Sequence, residues 1–262
     1  MNDMFESHPT LRPIPQQRVI AKMDEYMARR DYAGAERHLL YWLEEARAGR
    51  DQRGMLMVLG ELVGHYRKTG ERDKAMARAD EALKLVDAMD FGGTISAATT
   101  FVNVATMLSA FGEAARALAL FERARPIYEQ SAATRPELLG GLYNNMALAC
   151  ASLGRFEEAD ALYDRAMDAM AKAPNGALEQ AITCLNRANL VEARDGMEAG
   201  EAAIFGLVEQ AGDLLRGPGL PHDGYYAFVC EKCAPTFDYY GFFADAAALR
   251  EEAERIYDVQ GT

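Results

Sequence analysis

The side chains that combine hydrogen-bonding chemistry with a regular spacing are amides. Asn103 and Asn145 stand 42 positions apart, and so do Asn144 and Asn186. A primary amide offers a donor and an acceptor, as a peptide unit does, so amides repeated on that interval suit an extended backbone held without reading its side chains. The competing use is structural, with the same amides tying neighbouring helices together or facing water. Around them Thr106, Leu148 and Leu190 extend the candidate surface. Arg67, Lys68, Arg187 and Arg194 would give it a basic lining that attracts a carboxylate, or else form an ordinary solvated helix face.

Reactions that make and break bonds need a convergent set of groups, and the sequence offers none. Its histidines, His8, His38, His65 and His222, are scattered, and there is no GxSxG elbow, GxxxxGK[ST] loop or HExxH pair. No catalytic residue and no cofactor is expected. Cys230 and Cys233, with His222 shortly before them, form half a zinc site or a redox pair, but no second pair follows at ligand spacing. Both fall on positions that the repeat described next assigns to the core, where cysteine serves as a small apolar side chain. No metal is expected.

The elements that must carry these residues come from a repeat. Gly70, Gly112, Gly154 and Gly196 are separated by 42 residues each, within KTGERDKA, AFGEAARA and SLGRFEEA for the first three. Each reads as helix, tight turn, helix. Ala75, Ala117 and Ala159 follow their glycines by five positions, and Ala82, Ala124 and Ala166 come seven later on the same helical face, where small residues let helices approach. Before the glycines, Leu59 and Leu62, Phe101 and Val104, and Tyr143 and Met146 are large plugs. Val63, Ala105 and Ala147 come one position later. A degenerate first copy covers 31–46, with Ala35 in place and Trp42 at the second alanine site. A last copy covers 240–257, with Gly241, Ala246 and Ala253. In the fifth copy Glu201 falls where alanine is expected, Phe205 fits, and the register after Gly196 is open. Pro235 should kink the helix it sits in or leave its end irregular.

This pattern resembles the tetratricopeptide repeat, in the extended form found in kinesin light chains and bacterial intracellular peptide receptors. The resemblance implies an all-α, right-handed α-solenoid superhelix of about six antiparallel helix pairs, near 16–48, 52–89, 94–133, 137–172, 177–215 and 223–259. These form one domain over 16–259 behind an extended lead-in, 1–15. It further implies that the first helix of each pair lines a concave groove. Arg67, Asn103, Thr106, Asn144, Asn145, Leu148, Asn186, Arg187, Leu190 and Arg194 are then the groove candidates. The carboxylate clamp of chaperone-binding relatives is not reproduced, since Val102 and Thr106 stand where its lysine and asparagine belong.

Forty acidic against 28 basic residues give a net charge of -12, which disfavours nucleic acid and anionic lipid as partners. The first fifteen residues hold Pro9, Pro13 and Pro15 and have no signal-peptide pattern, and no run of eighteen apolar residues occurs. Four cysteines without an export signal suit a reducing compartment. The expectation is a cytoplasmic protein that binds a protein or peptide without turnover. Two alternatives are a peptide-sensing regulator, for which no helix-turn-helix precedes the first pair near Gln16, and a self-assembling structural protein. Aromatic residues from Tyr225 to Phe243 would either cap the core or provide a homodimer surface.

Overall fold

The structure is a computed structural model that describes residues 11–89 and 92–260, and the first ten residues of the expected lead-in lie outside them. Among the described residues all regular structure is α-helical. The helices are α1 (Gln16–Ala28), α2 (Tyr32–Ala48), α3 (Gln52–Thr69), α4 (Arg72–Ala88), α5 (Ile95–Ala110), α6 (Ala114–Gln130), α7 (Pro136–Ser152), α8 (Phe156–Met170), α9 (Gly176–Asp195), α10 (Met197–Leu215), α11 (Gly224–Tyr239) and α12 (Phe243–Gln260). None is long and apolar enough to cross a membrane. Two compact units divide between Ile127 and Tyr128, within α6.

The turns follow from one backbone rule. Gly70, Gly112, Gly154 and Gly241 adopt φ of 76°, 80°, 72° and 85°, the left-handed region that glycine enters without steric cost. The residue after each glycine donates its N–H back across the turn: Glu71 to Tyr66, Glu113 to Leu108, Arg155 to Cys150 and Phe242 to Phe237, at 2.8–2.9 Å. This closure satisfies a carbonyl that the ending helix would leave open. Asp31 to Tyr26 and Asp51 to Ala46 close in the same way, but there the left-handed residues are Arg30 and Arg50, at φ of 55° and 54°.

In unit 1, α2 and α3 start on the same device. Asp31 and Asp51 cap their helices by accepting from the N–H groups of Gly34 and Gly54. Asp51 is 4% exposed and also accepts from the N–H of Ile14 at 2.8 Å, which pins the lead-in from Leu11 to Pro15 against α3. A Cβ on Gly54 would lie 2.2 Å from the Asp51 carboxylate, so glycine is what leaves room for the cap. Leu59, Leu62, Ala75 and Ala82 are fully buried, and Phe101 and Ala117 likewise pack with almost no exposure.

In unit 2 the same scheme recurs with Met146, Ala159 and Ala166 fully buried and Tyr143 nearly so. The fifth pair departs from it. Gly196 alone joins α9 to α10, at φ 82° and ψ 163°, a conformation open to glycine only. The connection has lost one residue, so the close-approach site shifts back by one. Gly200, buried, fills it, and a Cβ there would meet Val191 at 2.9 Å. Glu201, the residue the sequence placed there, is exposed. Phe205 does pack on the core, edge-on to Phe242 at 5.5 Å. Pro235 neither breaks nor ends α11, which runs on to Tyr239. Pro235 is exposed, and the carbonyl it leaves without a donor belongs to Glu231, also exposed, where water reaches it.

Candidate functional site

A broad concavity lies in unit 1, on the side of the first helices. It is a groove of about 630 Å3 lined by Gln16 of α1, by Arg53, Leu56, Met57, Gly60 and Glu61 of α3, and by Thr94, Ile95, Ser96, Thr99, Thr100 and Asn103 of the α5 segment. Helical periodicity places these residues together, since 53, 57 and 61 are one turn apart, as are 95, 99 and 103. The two rows are also related by the 42-residue period, Glu61 matching Asn103 and Met57 matching Thr99.

Asn103 is exposed, with its amide nitrogen 3.5 Å from where a Cβ on Gly60 would stand. Gly60 therefore leaves bare helix backbone beside the amide. Thr99 and Thr100 donate their hydroxyls to the carbonyls of Ile95 and Ser96 at 3.0 Å, and Thr106 does the same to Val102 at 2.8 Å. Glu61 is half-buried among them. Burial, with the nearby charge of Asp24 adding to it, pushes its carboxyl above the usual carboxylate range. Arg67 is exposed at the end of α3.

In unit 2 the amides do something else. Asn144 Oδ1 accepts from Asn186 Nδ2 at 3.1 Å and from the hydroxyl of Thr183 at 3.3 Å, joining α7 directly to α9. The 42-residue ladder is thus in part a bracket between first helices. Asn145 is half-buried beside it, and Leu148 is 38% exposed on the same helix.

Three expected groove residues take other roles. Leu190 is 2% exposed and belongs to the core of unit 2. Arg187 turns onto α8, where its guanidinium meets Asp160 and Asp164 at 2.7 Å each, and it lines a separate cleft of about 360 Å3 between α8, α9 and α10. Arg194 pairs with Asp195 at 2.8 Å. In so acidic a chain these arginines are neutralised by neighbouring carboxylates, so they do not make a basic lining.

The sequence also left unread a repeated stack on the plug residues. Arg123 lies over the ring of Phe101 at 4.1 Å and pairs with Asp87, and Arg165 lies over Tyr143 at 4.2 Å and pairs with Glu129. Each member is 42 residues from its counterpart, so the period held the signal. Cys230 and Cys233 are buried in the core of unit 2, and burial pushes the Cys233 thiol up to about 12. His222 instead stacks on Tyr226 at 4.3 Å and pairs with Glu252 at 2.6 Å. Among the C-terminal aromatics Tyr226, Phe237 and Tyr240 are core, whereas Tyr225, Phe228, Tyr239 and Phe243 are exposed.

Helix pairs closed by left-handed glycines, with their plugs and alanines buried, define the tetratricopeptide-type α-solenoid fold, and known structures agree. The chain is similar to BtubC (BKLC) from P. vanneervenii, with 17% identity, TM-score 0.51, and 95% of this chain and 93% of that one covered. It is similar to a putative kinesin light chain of Podosopora anserina with nearly identical TPR-like repeats, with 17% identity, TM-score 0.53, and coverage of 77% and 94%. A Rap protein complexed with competence and sporulation factor matches with 14% identity, TM-score 0.54, and coverage of 93% and 77%. At such identities the likeness is one of fold. No protein-family profile and no curated protein sequence matches the chain.

Proposed function

We propose that this protein is a cytoplasmic interaction scaffold that binds an extended segment of another polypeptide on its first-helix face, without turnover. The observation that carries this reading is the groove of about 630 Å3 in unit 1, where Leu56 and Met57 provide an apolar floor and Asn103 stands exposed at its side. Small apolar pockets flanked by a few polar groups are what a peptide's alternate side chains and backbone require. That a Rap protein of the same fold was solved with competence and sporulation factor bound supports the reading by analogy of fold. In unit 2 the reading gives contacts to Asn145 and Leu148, with Asn144 and Asn186 holding the helices that present them.

Gly60→Leu provides the test. The position has open space above it apart from the Asn103 amide, so leucine fills the groove while improving α3 by about 1 kcal/mol. A displayed random dodecapeptide library panned on the wild type should yield clones that Gly60→Leu no longer binds. Enrichment that is indifferent to Gly60→Leu would move the function off this groove.

The second reading is self-association, favoured by Tyr239 and Phe243 at 66% and 68% exposed and by Tyr225 and Phe228 stacked at 6.2 Å, both 47% exposed. Sedimentation over a concentration series should then show a dimer that Phe228→Glu abolishes.

A further inference from the structure

We propose that the groove of unit 1 selects peptides carrying a cationic side chain, lysine or arginine, which pairs with Glu61. This rests on the peptide-groove reading above and names the chemistry of its occupant. Glu61 lines the groove at mid-length of α3, half-buried, and no cation or hydrogen-bond donor meets its carboxylate among the described residues. Elsewhere in unit 1 comparable carboxylates are partnered: Glu36 takes both Tyr66 and Lys74, Glu81 takes Arg47 and Arg78, and Glu113 takes Arg72. Glu61 is thus an exception to these pairings, in a groove with room for a ligand.

The surroundings fix the sign of that ligand. Asp24 on α1 is the neighbouring charge that acts on Glu61, and it adds to the negative potential rather than cancelling it. Arg53 lies at the groove's other end, two helical turns before Glu61. Partial burial strengthens an ion pair relative to one in open water, and a long cationic side chain can lay its methylenes on Met57 and the bare backbone at Gly60 while its head reaches Glu61. Asn103, one period away from Glu61, is placed to hold the peptide unit beside that side chain.

The experiment uses the full chain and the clones whose binding Gly60→Leu abolishes. Their peptides are synthesised, each lysine is replaced by norleucine and each arginine by citrulline, and all are titrated by fluorescence anisotropy against wild type, Glu61→Gln and Asp24→Asn, with circular dichroism confirming the fold. The expected result is a shared lysine or arginine whose replacement weakens wild-type binding about tenfold. Glu61→Gln should cause a similar loss on its own and remove most of the effect of the replacement, as a direct pair demands. Asp24→Asn should give a smaller loss in the same direction. The proposal is overturned if Gly60-sensitive peptides share no basic residue, or if Glu61→Gln binds them within twofold of wild type. A library that yields no Gly60-sensitive clone at all refutes the groove reading itself and removes the cation assignment with it.

Discussion

Asn144 illustrates why residue type and spacing alone leave a role open. Its amide sits on the expected first-helix ladder, yet its oxygen is spent on Asn186 and Thr183. Asn144→Ala should cost about 1–2 kcal/mol in urea unfolding, because it leaves the half-buried Asn186 amide without its acceptor while Thr183 keeps the Glu179 carbonyl, whereas Asn103→Ala should leave stability within about 0.5 kcal/mol. If the two variants lose equal stability, the distinction between bracket and free groove amide is wrong. His65 carries a second residue-scale prediction. It is 4% exposed, its Nδ1 has no partner, and burial holds its pKa below the usual 6.5, with Lys74 and Lys68 lowering it further and Glu36 and Glu71 opposing. A depressed folded pKa means that the unfolded chain takes the proton first, so stability should fall as pH drops below about 6.5. His65→Phe should flatten that part of a pH series of thermal melts. Glu61 was legible only in retrospect, by carrying the 42-residue period back from Asn103, since nothing in the residue itself separates a groove carboxylate from a solvated one.

At the scale of the element, the turns and the close-packing alanines were readable because glycine and alanine are demanded by backbone geometry and leave little freedom of type. Arg30 and Arg50 were not readable as turn residues, since arginine has no preference for the left-handed region that both occupy. Arg30→Gly should therefore stabilise the protein by about 0.5–1 kcal/mol, measured as a higher urea midpoint at unchanged slope, and Gly154→Ala should destabilise it by about 1 kcal/mol. A null result for both would mean that the turns impose no φ requirement. The fifth pair escaped the period for a related reason. Deleting one residue at a glycine turn costs the fold little, but it moves every later position, so Gly200 and not Glu201 met Val191. Arg187 and Leu190 were misplaced because spacing names a helix face without naming what neighbours cover it.

For the whole molecule, the net charge of -12 is the property most plainly written in the sequence, and it should govern encounter with a cationic peptide. Raising salt from about 50 to 300 mM should slow association roughly tenfold while changing dissociation much less. A salt-insensitive association rate would argue that the peptide's charge plays no part in finding the groove. The distribution of one residue type has a further practical consequence. All four cysteines, Cys150, Cys184, Cys230 and Cys233, fall in unit 2, each at 2% exposure or less, and burial pushes the Cys184 thiol up to about 11. Unit 1 contains none. A thiol reagent added to the native protein thus finds no accessible target until unit 2 opens, and its rate of uptake becomes a clock for breathing in that half alone. The wild-type chain carries its own stopwatch, and peptide binding to the groove of unit 1 can be followed in the same sample without adding a reactive thiol.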